Sequence, residues 1–122
     1  MRTLTIAVAT VMFGSLISTA VHADCMTSRG WFQLQGDSVS YSDTVSGGST
    51  CTHPSRAGGS TTFTSVSVVS PPRNGTLSSS ALSATYTPKS GFKGSDQYVI
   101  KVCGNRSGSP GCSTLTYAVT VQ

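Results

Sequence analysis

The chain has few charged side chains and no glutamate, and these shortages count against several classes of protein. Of its 122 residues only 10% are charged, against roughly a quarter in typical soluble domains. A paired-carboxylate hydrolase or a calcium site needs clustered acidic residues, and a disordered acidic or basic tail needs many charges. Here the four acidic residues are scattered: Asp24, Asp37, Asp43 and Asp96.

Other patterns that carry catalysis or bind metals are missing as well. No C-x-x-C pair occurs, and His53 is the only histidine after residue 23, so the ligand spacing of a zinc site is absent. No G-x-S-x-G turn surrounds a serine, and no G-K-[ST] phosphate loop is present. His53 lies in a Ser- and Gly-rich stretch, where it is interpreted as a loop residue. We therefore expect no enzyme activity, no catalytic residue, no metal and no cofactor.

The first 23 residues differ from the rest and predict an export signal. One positive charge, Arg2, precedes an apolar stretch over residues 4–17, and Val21-His22-Ala23 forms a small-residue cleavage site. Serine and threonine dilute the stretch too much for a transmembrane anchor, which needs about 20 predominantly apolar residues. We expect cleavage after Ala23, a secreted or periplasmic location in a bacterial envelope, and no stable membrane insertion afterwards.

Removal of residues 1–23 would leave 122 minus 23, or 99, residues as one domain, 24–122. This part has seven basic and four acidic side chains, a net charge of +3. The basic residues do not cluster along the sequence, so the charge indicates ordinary solubility and no nucleic-acid partner.

Four cysteines follow the export signal and predict two disulfides, because an even count is typical of exported domains. They are Cys25, Cys51, Cys103 and Cys112. The runs 98–103 and 112–121 alternate apolar and polar residues, as half-buried strands do, and a turn-rich segment over 104–111 separates them.

The alternation of these two runs also predicts which cysteines pair. In an antiparallel hairpin with Cys103 opposite Cys112, Tyr98 faces Tyr117 on the buried side, as do the neighbouring apolar residues. A slip of one residue would break both the apolar face and the sulfur pairing. We therefore predict a Cys103–Cys112 disulfide, which leaves Cys25–Cys51 as the second.

The remaining segments read as short strands separated by turns, with no helical period of useful length. Residues 42–60 are mostly Ser, Thr and Gly and have no clear pattern. Six or seven strands in 99 residues predict an all-β sandwich. The predicted strands are 31–35, 38–41, 61–69, 76–78, 81–87 and the two runs of the hairpin.

Three stretches resemble the bacterial Ig-like and cadherin-like repeat domains. They are Pro72-Arg73-Asn74-Gly75-Thr76-Leu77, Ala84-Thr85-Tyr86-Thr87-Pro88 and Gly91-Phe92-Lys93-Gly94-Ser95-Asp96-Gln97-Tyr98, within a resemblance that covers about residues 61–122. The resemblance implies an Ig-like Greek-key β-sandwich of about seven strands, used in surface adhesion or as a spacer. Asp96 suits a role in capping backbone amides, and Phe92 suits a plug at the end of the sandwich. The chain departs from the family in two ways, since it lacks acidic calcium-binding runs and tandem repeats.

These observations favour an exported, non-enzymatic Ig-like module that acts by protein or cell-surface binding or as a structural component of the envelope. The alternative is a small secreted inhibitor or a glycan- or ligand-binding protein that uses the 104–111 loop. The candidate binding residues are Asn105 and Arg106 in that loop, together with Trp31. We expect Trp31 to pack in the core; if exposed, its ring would offer a surface on which a sugar stacks.

Overall fold

The structure, a computed structural model, describes residues 24–122, so the export signal predicted for residues 1–23 lies outside the described residues. No helix within 24–122 is long and apolar enough to cross a membrane. The described chain forms eight strands: β1 (Cys25–Thr27), β2 (Ser38–Val45), β3 (Cys51–Pro54), β4 (Thr61–Ser70), β5 (Gly75–Ser80), β6 (Ser83–Pro88), β7 (Gly94–Arg106) and β8 (Ser109–Val121).

The strands form two sheets, one with the order β1-β2-β8-β7-β4 and the other with the order β3-β6-β5. β2 pairs with β8 in parallel, and the other pairs are antiparallel. The predicted all-β Ig-like sandwich is therefore confirmed, with eight strands in place of about seven. The three-residue β1 and the four-residue β3 were not predicted, and the run 31–35 is irregular rather than a strand.

The hairpin of β7 and β8 has the predicted register. Cys103 is opposite Cys112, and Tyr98 is opposite Tyr117. The strands continue as far as Arg106 and Ser109, however, so the expected loop over 104–111 is wrong in extent. Only Ser107 and Gly108 turn the chain, with φ of 51° and 81°. Positive φ at both central residues is what a two-residue type I′ hairpin turn requires.

Both predicted disulfides are confirmed. Cys103–Cys112 joins neighbouring strands within the hairpin. Cys25–Cys51 joins β1, at the edge of the larger sheet, to β3, at the edge of the smaller one. The second disulfide therefore holds the two sheets together along one side of the sandwich.

All four tyrosines of the chain stack in one row through the core. Tyr41, Tyr117 and Tyr98 come from adjacent strands of the larger sheet, with ring centroids 5.2 and 5.0 Å apart. Tyr86 of the smaller sheet continues the row at 5.2 Å from Tyr98. Stacked aromatic pairs at this spacing contribute beyond their buried area, so the row ties the two sheets together.

Asp96 caps backbone amides, as its place in the sequence suggested. Its carboxylate accepts hydrogen bonds from the N–H groups of Arg73, Asn74 and Gln97 at 2.9–3.0 Å and from the Tyr86 hydroxyl at 2.8 Å. Burial by itself would raise the pKa of Asp96, but the Tyr86 and backbone hydrogen bonds outweigh it and lower the pKa. A half-buried, hydrogen-bonded acid therefore fixes this end of the sandwich.

The two sheets differ in length, which leaves the opposite end of the sandwich open. β7 and β8 have 13 residues each, whereas the strands of the smaller sheet have four to six. At about 3.3 Å per residue, β7 spans about 40 Å, more than the smaller sheet covers. Near Arg106 the inner face of the larger sheet is therefore covered by the loop 28–37 instead of by a strand.

Candidate functional site

The loop 28–37 is fixed to the end of β8 through Leu34. Leu34 is buried and has a φ of 57°, in the left-handed region that most side chains avoid. Its N–H donates a hydrogen bond to the Ser113 hydroxyl at 2.9 Å, and the N–H of Gly36 donates to the Cys112 carbonyl at 2.8 Å. A buried side chain and two hydrogen bonds thus hold an otherwise irregular segment in place.

Asp37 completes the anchor of this loop. Its carboxylate accepts hydrogen bonds from the N–H groups of Gln33 and Gln35 and from the Ser113 hydroxyl, at 2.9, 3.1 and 2.6 Å. Burial by itself would raise the pKa of Asp37, but the hydrogen bond from Ser113 and those from backbone amides outweigh it and lower the pKa to about 2. Asp37 is therefore ionised at neutral pH, and its charge strengthens the hydrogen bonds that hold the loop.

Gly111 allows the loop to approach β8 this closely. A Cβ atom at Gly111 would overlap the carbonyl oxygen of Leu34. Glycine is thus required here by close packing of two backbone segments. The sequence places Gly111 only in a turn-rich segment, because contacts between distant segments leave no local pattern.

An open groove lies between this loop, the segment 56–61 and the end of β7; we call it the Trp31 groove. Its volume is about 690 Å³. Trp31 is 84% exposed, whereas Phe32 is half-buried and packs on Phe63 with ring centroids 6.0 Å apart. The residues that line the groove are Gly30, Trp31, Phe32, Gln33, Leu34, Arg56, Gly58, Gly59, Ser60, Thr61, Phe63 and Arg106.

A second depression of about 580 Å³ shares Gly30 and Trp31 with the groove. It is lined in addition by Arg29, by His53 and by residues of β2, β3 and β8. Together the two depressions bring three arginines, at positions 29, 56 and 106, to one end of the molecule. Among the residues of 24–122 that line them, none is acidic. The sequence does not show this grouping, because the three arginines are 27 and 50 positions apart.

The structure brings together two of the three candidate binding residues. Trp31 and Arg106 line the same groove. Asn105 does not, because successive side chains of a strand point to opposite faces, and it is half-buried on the other face of β7. The expectation that Trp31 packs in the core is wrong, since its neighbour Phe32 takes that place. Binding by any of the three residues stays a prediction.

A buried polar cluster, which the sequence analysis missed, lies beneath the second depression. Asp43 is 1% exposed and accepts hydrogen bonds from the hydroxyls of Thr27 and Tyr98 at 2.7 and 2.6 Å. His53 Nε2 lies 3.1 Å from the Asp43 carboxylate and 2.5 Å from the Tyr98 hydroxyl. The His53 ring also stacks on Tyr117 at 4.1 Å. The interpretation of His53 as a loop residue is therefore wrong: it belongs to β3.

The cluster perturbs the ionisation of its members. Burial alone would raise the pKa of Asp43, but hydrogen bonds from His53, Tyr98 and Thr27 outweigh it and lower the pKa. Burial and the neighbouring Asp43 carboxylate raise the pKa of the Tyr98 hydroxyl. Because its polar atoms bond to one another, the cluster acts as a structural network that joins β1, β2, β3 and β7.

The same region holds one arrangement with metal-ligating atoms. The sulfurs of Cys25 and Cys51 and a carboxylate oxygen of Asp43 lie within 4.8 Å of one another. The two sulfurs are bonded to each other, however, and a disulfide does not offer the thiolates that a metal needs. The arrangement therefore does not form a metal site.

The fold and the groove define an Ig-like β-sandwich domain with an open surface at one end. The sequence profile described as Bacterial Ig domain matches residues 33–120, more than two thirds of the chain and more than the stretches that carried the resemblance. The chain belongs to this family. No curated protein and no solved structure matches the chain.

Proposed function

We propose that this protein is an exported, non-enzymatic binding module of the bacterial envelope and that it contacts its ligand through the Trp31 groove. Membership of the bacterial Ig domain family supports a binding or structural role. The observation that carries the proposal is the placement of Trp31, which exposes 84% of its surface beside an open groove. Aromatic residues and arginine are the side chains most enriched at binding surfaces.

The site has the architecture that binding surfaces commonly show. A rigid sandwich presents an anchored loop, which is held by the hydrogen bonds of Leu34 and Asp37 and by close packing at Gly111. The alternative, a small secreted inhibitor or a glycan- or ligand-binding protein, was expected to use a loop over 104–111. Since those residues form strand and a two-residue turn, the groove replaces that loop as the proposed binding surface.

The test uses envelopes isolated from the source cells and the purified, oxidised protein. We expect wild-type protein to sediment with the envelopes, and Trp31→Ala and Arg106→Gln to remain in the supernatant. The matched control is Arg73→Gln, which removes an exposed arginine at the opposite end of the sandwich. Equal sedimentation of all four proteins would overturn the groove as the binding surface.

Export has its own test. The intact mass of the protein recovered from the periplasmic fraction or the medium should correspond to a chain that begins at Asp24 with two disulfides. Recovery of the uncleaved chain from the cytoplasmic fraction would contradict the proposal.

A further inference from the structure

The Trp31 groove and the depression beside it have the chemistry of a site for an acidic polysaccharide. We propose that this surface binds a polymer of carboxylate-bearing sugars, such as uronic acids. The inference rests on the proposed function and names the class of ligand for that same site.

The exposed ring of Trp31 is the apolar element of this surface. A flat apolar surface this exposed loses water favourably when another apolar face covers it. The C–H faces of a pyranose ring are flat and apolar, while its edges carry hydroxyls. The half-buried Phe32 and Phe63 extend the apolar floor, and the Ser60 and Thr61 hydroxyls at the groove wall suit the polar edges.

The arginines give this surface its positive charge. Arg56 and Arg106 line the groove with Trp31, and no acidic side chain lines it within residues 24–122. The nearest acid along the loop, Asp37, already accepts three hydrogen bonds and is directed toward β8. A guanidinium binds a carboxylate through two parallel hydrogen bonds, so the two arginines select an anionic ligand.

The shape favours a chain over a single sugar. The two depressions meet at Gly30 and Trp31, so the indole stands between them, and Arg29 lies in the second one. A sugar stacked on Trp31 would have neighbours on each side within reach of an arginine. The turn at Ser107 donates a backbone hydrogen bond to the Ser60 carbonyl at 2.9 Å, which holds the groove wall in place without a ligand.

An acidic peptide fits this surface less well. A peptide commonly binds to a sheet edge by adding a strand, and β4, whose Thr61 and Phe63 line the groove, is the edge strand there. The register of β4 shifts between Phe63 and Ser65, at the groove. Such an irregularity interrupts the backbone ladder that an added strand would need.

Trp31 is the only tryptophan of the chain, so its fluorescence reports binding without a label. The probe is tetragalacturonic acid, and its methyl ester is the matched ligand without charge. We expect the acid to shift the emission of Trp31 to shorter wavelength in a saturable way, and the ester to bind about tenfold more weakly or not at all. Arg56→Gln and Arg106→Gln should each weaken binding of the acid about tenfold, while Arg73→Gln should leave it unchanged.

The affinity of Trp31→Ala for the acid is measured by calorimetry, since that variant lacks the fluorophore. The substitution removes only an exposed side chain. Equal affinity for the acid and the ester, or tighter binding of polyglutamate or a thymidine oligomer, would overturn the inference. If the acid did not bind but envelope binding still depended on Trp31, the acidic polysaccharide would be ruled out as the ligand and the proposed function would stand. If the acid did not bind and envelope binding did not depend on Trp31, the site itself would be ruled out.

Discussion

The Tyr98 hydroxyl donates a hydrogen bond of 2.6 Å to the Asp43 carboxylate, and neither side chain is more than 1% exposed. The two residues lie on β7 and β2, which are not adjacent in the sheet because β8 runs between them. A buried carboxylate is costly unless it is well hydrogen-bonded, so Asp43 stabilises the fold only through its partners.

Asp43→Asn is expected to destabilise the protein by about 2–4 kcal/mol, because it removes charge-assisted hydrogen bonds. The new amide N–H₂ group would also face the hydroxyl and imidazole donors, from which it cannot accept a hydrogen bond. The free energy of unfolding in urea measures the effect. Asp24→Asn is the matched control, since Asp24 is exposed and its substitution should cause no measurable change. A stable Asp43→Asn variant would show that the cluster contributes little.

Acid is expected to unfold the protein by protonating its hydrogen-bonded carboxylates, of which Asp43 is buried and Asp37 and Asp96 are half-buried. The pKa values of Asp37, Asp43 and Asp96 are all lowered in the folded state, that of Asp37 to about 2. Their contribution to stability is therefore present above the unfolded pKa of about 4 and is lost as pH falls through the folded values. Melting temperature measured from pH 6 to pH 2 should be level at first and fall below about pH 4.

Asp37→Asn removes one of these three groups and should make that fall less steep. A melting temperature that began to fall well above pH 5 would contradict the assignment to carboxylates.

Gly111→Ala is expected to displace the loop 28–37, because its new methyl group would overlap the Leu34 carbonyl. Overpacking of this kind costs about 1–3 kcal/mol, which a urea titration measures. Gly58→Ala is the matched control, since nothing lies within 4 Å of the position that its Cβ would occupy. If both variants were equally stable, the close approach of Leu34 to β8 would be refuted.

The two disulfides are expected to differ in their contribution to stability. On the loop-entropy estimate, Cys25–Cys51, with a separation of 26 residues, contributes about 3.5 kcal/mol, and Cys103–Cys112, with a separation of 9, about 2.6 kcal/mol. The paired Cys→Ser variants, compared by urea unfolding, measure the difference. A larger loss from the hairpin pair would show that loop length does not control the ranking.

Sequence reasoning succeeded where the decisive contacts are local in pattern. The hairpin of β7 and β8 has strict alternation and two cysteines, and these determine its register and the Cys103–Cys112 disulfide. The family motif likewise led to Asp96 as a capping acid. For the hairpin, the period of two along a strand contains the needed information; for Asp96, the motif does.

The site was harder to predict because it is assembled from distant segments. Asp43 meets Tyr98 across 55 positions, and the parallel pairing of β2 with β8 brings them together. Trp31 is exposed and Leu34 is buried with a positive φ, and no local signal indicates either for these residue types. The grouping of arginines likewise appears only once the loops are folded together.

The central claim, that the end of the sandwich carrying Trp31 is the binding surface, is tested most directly by hydrogen exchange of the protein bound to isolated envelopes. The loops 28–37 and 55–60 should exchange more slowly in the bound protein than in the free protein, while residues 71–74 and 95–97 at the opposite end should be unchanged. Protection confined to 71–74 and 95–97, or spread evenly along the chain, would contradict the account.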